Sequence, residues 1–188
     1  MTTLQLVKSG ENTASLDTLK AALPDFAKDI RLNLSSVLTP EGAADLTQAQ
    51  IHLIALASAY ATKDDGVIAA ISGEASALSE AEINAAKAAA SIMAMNNVYY
   101  RFVHLVGGDY KTMPAKLRMN VIGNPGIEKV DFELMSMAVS AMNGCGMCME
   151  AHAHELAKAG LSTQAVQSAV RIGAVVQAAA QALRIAAA

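Results

Sequence analysis

Two cysteines three positions apart are the residues of this chain best suited to chemistry. They stand in Asn143-Gly144-Cys145-Gly146-Met147-Cys148-Met149-Glu150-Ala151-His152. Apolar and small residues then run to Ala159 before Gly160, so the segment opens a helix with both cysteines in its first turn. A helix N-terminus offers unpaired N–H groups and partial positive charge, which favour a thiolate. Residues three apart share a helix face, separated by roughly 4.5 Å along the axis, within reach of a disulfide. Such a pair can shuttle two electrons.

His152 follows Cys148 by four residues, one turn along the same face, where an imidazole can take a thiol proton and return it to a leaving group. Cys148 is therefore the better-served thiol. Glu133 is the one acid in a run that otherwise reads as core from Phe132 to Met142. A carboxylate there is costly to bury without a partner, and His152 is the obvious one, to be oriented and charged by it.

Other readings of these residues stand beside this one. Cys145, Cys148, His152 and His154 have zinc-like ligand types, but the two histidines point to different faces of one helix. The cysteines could also be an inert buried pair, since free Cys is often a small hydrophobe. His154, His52 and His104 are read as structural or solvated, and the ten methionines as core filler.

Composition says what must position the site. The chain has 188 residues, 53% of them hydrophobic and only 16% charged, without Trp and rich in Ala; strands have little material and an all-α fold follows. Mean hydropathy is +0.32, but no run of 18 or more consecutive apolar residues occurs, so a soluble rather than membrane protein is expected. Abundant apolar surface on few charges favours a homo-oligomer. A net charge of −3 without a basic cluster argues against nucleic-acid binding. No signal pattern opens the chain, which is expected to be cytoplasmic, with residues 1–15 a flexible extension. In that compartment a lone Cys-x-x-Cys points to catalytic or metal chemistry.

A faint internal repeat organises the rest. Ile30-Arg31-Leu32-Asn33-Leu34 echoes Leu117-Arg118-Met119-Asn120-Val121, each after an Ala-Lys pair. His52-Leu53-Ile54-Ala55-Leu56-Ala57 parallels Glu133-Leu134-Met135-Ser136-Met137-Ala138. Ser79 and Ser162, after breaks at Gly73 and Gly160, cap two long Ala-rich helices ending near Arg101 and Arg184. One helical unit is used twice, over about 30–104 and 117–187, joined at Gly107–Asp109 within a single domain, 16–188. Laying His52 on Glu133 puts Asp64, Val67 and Ile71 where the second copy has Cys145, Cys148 and His152. Only the second copy carries the reactive set.

Glu133, then Cys145-x-x-Cys148-x-x-x-His152, then a glycine break and a long Ala-rich helix, resembles the alkylhydroperoxidase D (AhpD) family, within the carboxymuconolactone decarboxylase-like superfamily. Lys28 to Ser36, Met95-Asn96-Asn97-Val98-Tyr99-Tyr100-Arg101 and Leu117 to Gly126 are similar as well, so the resemblance runs from about residue 16 to the C-terminus. It implies a homotrimer and a peroxidase coupled to a two-cysteine peroxiredoxin of the AhpC type. It also implies that Cys148 attacks the peroxide and becomes a sulfenic acid, that Cys145 resolves it to a disulfide, and that Glu133 and His152 relay protons. Electrons would come from a dihydrolipoyl group on a dehydrogenase-complex subunit, with no cofactor or metal bound. Some members of the family carry a second His between the cysteines; here Met147 stands in its place. The rivals are a lactone-processing enzyme of the wider superfamily, a zinc-binding or purely structural helical module, and a reductase for a partner protein with little peroxidase activity of its own.

Overall fold

The computed structural model describes residues 14–188, and no strand occurs among them. The expectation for residues 1–15 therefore lies outside the described residues, apart from Ala14 and Ser15. Ser15 is the N-cap of α1 (Leu16–Ala22), in a capping box with Thr18. A 3-10 turn, Asp25–Ala27, leads into α2 (Lys28–Val37). Then come α3 (Gln48–Thr62), α4 (Asp65–Glu74) and the long α5 (Glu80–Val106). After a second 3-10 turn, Gly108–Lys111, follow α6 (Asn120–Gly123), α7 (Lys129–Met142), α8 (Gly146–Lys158) and α9 (Thr163–Ala187).

The boundaries of the two halves correspond. Helices α3, α4 and α5 are followed 81 to 83 residues later by α7, α8 and α9, in the same order. The correspondence extends to single backbone positions. Lys63 and Gly144, 81 apart, both adopt left-handed φ, at 60° and 68°. Asp64 and Cys145 come next, and each is the N-cap of the following helix, accepting from the backbone N–H of Val67 and of Cys148. At the repeat's opening the halves diverge. Ile30–Leu34 lies inside a ten-residue helix, whereas Leu117–Met119 is irregular and α6 is a single turn. Asn124-Pro125 supplies the reason that α6 stops after one turn, because the residue before a proline is driven out of helical conformation. The long helices also outrun the ends expected for them, reaching Val106 and Ala187, while Gly73 lies within α4, which ends one residue later.

Caps and side-chain pattern explain the elements. Ser79 accepts from the N–H of Glu82 and the Glu82 carboxylate reaches back, a reciprocal capping box that starts α5. Thr47 and Gln50 do the same for α3, and Ser162 caps α9 through the N–H of Ala165. A helix apolar on all sides must lie inside a fold. Ile51 and Leu53–Ala59 of α3, and Phe132–Ser140 of α7, are buried without interruption. These two helices form the centre, with α5 packed against both and α9 against both. Ala and Gly let the axes come close. A Cβ at Gly173 of α9 would stand 3.3 Å from the carbonyl oxygen of Ala138 on α7, tighter than most packed contacts.

One continuous apolar cluster runs through both halves, from Leu19 to Ala182. Among the described residues α9 is long and apolar enough to cross a membrane by length and composition. Its Ala165, Ala169, Ile172, Val176 and Ala179 side is buried in that cluster.

Candidate active site

The site is built where α7 hands over to α8. Helix α7 ends in a Schellman motif: Gly144 N–H donates to the Ala141 carbonyl at 3.1 Å and Cys145 N–H to the Ser140 carbonyl at 3.1 Å. That closure needs left-handed backbone at Gly144, which a glycine adopts without strain. Cys145 is thus both the last residue of one helix-ending motif and the N-cap of the next helix. Its extended conformation, φ −95° and ψ 93°, sets it just outside α8 rather than in the first turn; Cys148 occupies that turn. The two are joined as a disulfide with Cα atoms 5.3 Å apart.

The sulfurs differ in their surroundings. Cys145 is fully buried, and its Sγ faces the backbone N–H of Cys148 at 3.3 Å. The helix-terminal donor expected from the sequence therefore serves Cys145 directly. Cys148 is 7% exposed and opens onto a cavity of about 480 Å³. His152 lines the same cavity, one turn along α8, and Glu133 of α7 lies behind it. The imidazole Nδ1 is 2.6 Å from Glu133 Oε2, with both side chains buried. Nδ1–H donating to a carboxylate leaves Nε2 as the nitrogen free to exchange a proton.

All four site residues expected from the sequence are brought together here: Cys145, Cys148, His152 and Glu133. His154 is exposed on the other side of α8, and His104 is exposed near the end of α5. No group of three or more His, Cys, Asp or Glu side chains is placed to hold a metal among the described residues. Met147 lines the cavity mouth.

Other lining residues lie in segments that carry the family resemblance, or beside them, but spacing gave them no place at the site. Met93, Asn96 and Tyr100 come from α5, forty or more positions upstream, and Met119 and Ile122 from the irregular start of the second half. The main-chain carbonyl of Asn96 is 4.0 Å from Cys148 Sγ. The next residue, Asn97, is fixed by Ser140 Oγ and by the Asn143 carboxamide, each at 2.9 Å, which locks α5 to the turn before Cys145. Spacing along one helix could not reveal these partners.

At the rim, Lys129 reaches Glu155 at 3.5 Å, and Lys158 reaches the same carboxylate at 3.2 Å. The Lys158 hydrogen bond holds the Glu155 carboxyl below its ordinary range. A smaller cavity of about 180 Å³, bounded by these three side chains, also reaches Glu133. A further groove of about 530 Å³ lies across α5, lined by Lys63, Lys87 and Arg101, and includes neither cysteine nor His152.

The first half carries a counterpart cavity without cysteines. A cavity of about 190 Å³ is lined by Gln48, His52, Ile71 and Glu74, in the positions of Lys129, Glu133, His152 and Glu155. Burial pushes the His52 pKa down, against the opposing pull of Glu74, and Gln48 is 2.7 Å from its ring. The Leu16 N–H donates to Glu74 at 3.0 Å, drawing α1 over this side.

Residues 108–188, which include the reactive helix pair, match the carboxymuconolactone decarboxylase family. Over most of its length the chain is similar to proteins named alkyl hydroperoxide reductase AhpD. That of Rhodospirillum centenum is 58% identical across 90% of each chain. The Hyphomonas neptunium protein is 57% identical across 90% of this chain and 93% of its own. The Brucella suis protein is 55% identical across 92% and 98%. Identity at this level over nearly whole chains leaves no room for a shared motif alone: the chain belongs to the AhpD family.

Proposed function

We propose that the protein is a thiol-dependent alkyl hydroperoxide reductase that cycles the Cys145–Cys148 pair. It takes electrons from an external dithiol of the dihydrolipoyl class, carried on a dehydrogenase-complex subunit. It passes them to an organic hydroperoxide or to a two-cysteine peroxiredoxin of the AhpC type. The name borne by its relatives supports the peroxide-reducing class. The observation that carries the reading is the cavity that Cys148 and His152 both line, with Glu133 bonded to Nδ1 of the imidazole.

In the reduced enzyme His152 takes the thiol proton of Cys148, and the thiolate attacks the distal peroxide oxygen. The O–O bond breaks, the departing alkoxide takes the proton back from His152 and leaves as alcohol, and Cys148 holds a sulfenic acid. The Cys145 thiol attacks that sulfur, the hydroxyl leaves as water with the thiol proton, and the disulfide forms. A donor dithiol then attacks Cys148 Sγ, the more accessible sulfur, releasing Cys145 toward the Cys148 N–H; the donor's second thiol closes its own disulfide.

A homotrimer in a reducing cytoplasm completes the reading. In its support, α5 leaves Val98, Phe102, Leu105 and Val106 exposed, and Met113 follows shortly after. Large apolar residues grouped in this way mark association surfaces.

Titration of fully reduced protein before and after one equivalent of an alkyl hydroperoxide, with mass spectrometry of the peptide holding both cysteines, tests the reading. Loss of both thiols with a two-hydrogen mass decrease is expected. Survival of both thiols would overturn it, and stoichiometric zinc on protein purified without chelator would favour a metal-binding module instead.

A further inference from the structure

Asn96 is a buried polar residue that the cycle above does not use. It is 4% exposed on the face of α5 turned to the reactive helix, it lines the cavity shared by Cys148 and His152, and its own main-chain oxygen is 4.0 Å from Cys148 Sγ. Its side-chain Oδ1 is sealed from solvent without a hydrogen-bond partner among the described residues. The neighbouring Asn97 shows how the same helix normally settles a carboxamide, bonding Ser140 and Asn143. Buried polar atoms are almost always paired, and an orphan beside a reaction centre is a candidate for a partner that comes and goes with the chemistry.

In the disulfide neither sulfur bears a hydrogen, so Cys148 offers Oδ1 nothing to accept. A hydroperoxide entering the cavity that Asn96 and Cys148 both line brings an O–H, and the sulfenic acid left on Cys148 after oxygen transfer has an S–O–H. In this cavity such donors arise only during turnover.

We infer that Asn96 is a catalytic residue whose carboxamide hydrogen-bonds the oxygen being transferred, first as the hydroperoxide O–H and then as the sulfenic acid of Cys148. It orients the distal oxygen for attack and holds the sulfenic acid until Cys145 resolves it. The inference rests on the peroxide-reducing reading. It adds the residue that handles the peroxide, from the first half of the chain, to a set drawn wholly from the second.

Asn96→Leu tests it, keeping side-chain size while removing both polar atoms. Removing an orphan and its desolvation cost leaves the oxidised protein as stable as before or more so, and its melting temperature is expected to be unchanged or raised. The rate of Cys148 oxidation by an alkyl hydroperoxide is expected to fall about tenfold or more, while reduction of the disulfide by dithiothreitol changes less than about threefold. In a Cys145→Ser background, trapping with a carbon-acid probe should show a sulfenic acid that decays faster when Asn96 is replaced. Asn96→Ala provides the same readouts if the leucine variant fails to fold. Oxidation and sulfenic-acid lifetimes matching those of the parent in a folded variant would overturn the inference alone. A parent protein inert to hydroperoxide would instead remove the reading on which it rests.

Discussion

His152 Nδ1 lies 2.6 Å from Glu133 Oε2, and the two residues, nineteen positions apart on different helices, meet with little access to solvent. The bond occupies Nδ1 and leaves Nε2 as the nitrogen free to exchange a proton. It also means that neither group can be removed without stranding the other.

Two kinds of loss should therefore separate. His152→Asn is expected to slow peroxide-driven disulfide formation by about 10²–10⁴-fold, the usual contribution of a positioned acid–base group. Glu133→Ala should cost rate and also about 1–3 kcal/mol of stability, since it leaves a buried ring N–H without its partner. Glu133→Gln, which keeps a hydrogen-bonding oxygen, should recover most of the stability but not the rate. Stopped-flow oxidation alongside thermal melts would check all three.

The two cysteines should fail differently. Cys148→Ser is expected to abolish consumption of hydroperoxide. Cys145→Ser should consume one equivalent and stop, leaving a sulfenic acid visible as a sixteen-mass-unit gain or a probe adduct. Full turnover by Cys148→Ser, with none by Cys145→Ser, would reverse their roles.

At the start of α5 the Ser79–Glu82 capping box predicts a pH-dependent term in stability. The Ser79 hydroxyl and backbone N–H hold the Glu82 carboxyl below its ordinary value of 4.5. An acid lowered in the folded state stabilises fully above its unfolded value, and that contribution disappears as pH falls through the lowered one. Ser79→Ala should cost about 1 kcal/mol at neutral pH, or roughly 2–4 °C in melting temperature. The difference between variant and parent should shrink in acid. Melting curves across the acid range would register a difference that stays constant if the box is unimportant.

The apolar side of α5 makes a prediction about assembly. Leu105 is 74% exposed and Val98 61%. If this surface joins copies of the chain, Leu105→Glu should shift the protein toward monomer by light scattering while preserving helical content. A parent that is already monomeric would remove the trimer from the reading.

Much was legible in the sequence because the relevant physics is local. Cysteines three apart, a histidine one turn later, serine caps and an Ala-rich, strand-poor composition fix a helix, a face and a fold class through short-range geometry alone. The repeat offset of 81 residues was readable too. It placed Asp64 opposite Cys145, and both prove to be N-caps following a left-handed residue.

Tertiary structure decided what no local spacing encodes. Only the packing of α5 across α7 and α8 brings Met93, Asn96 and Tyr100 to the cavity at Cys148. Only the turn at Gly144 places Cys145 outside α8, fully buried against a backbone N–H, and leaves Cys148 at the cavity. Helix periodicity determines which residues share a face; the neighbour which that face meets is chosen by the burial of the whole chain.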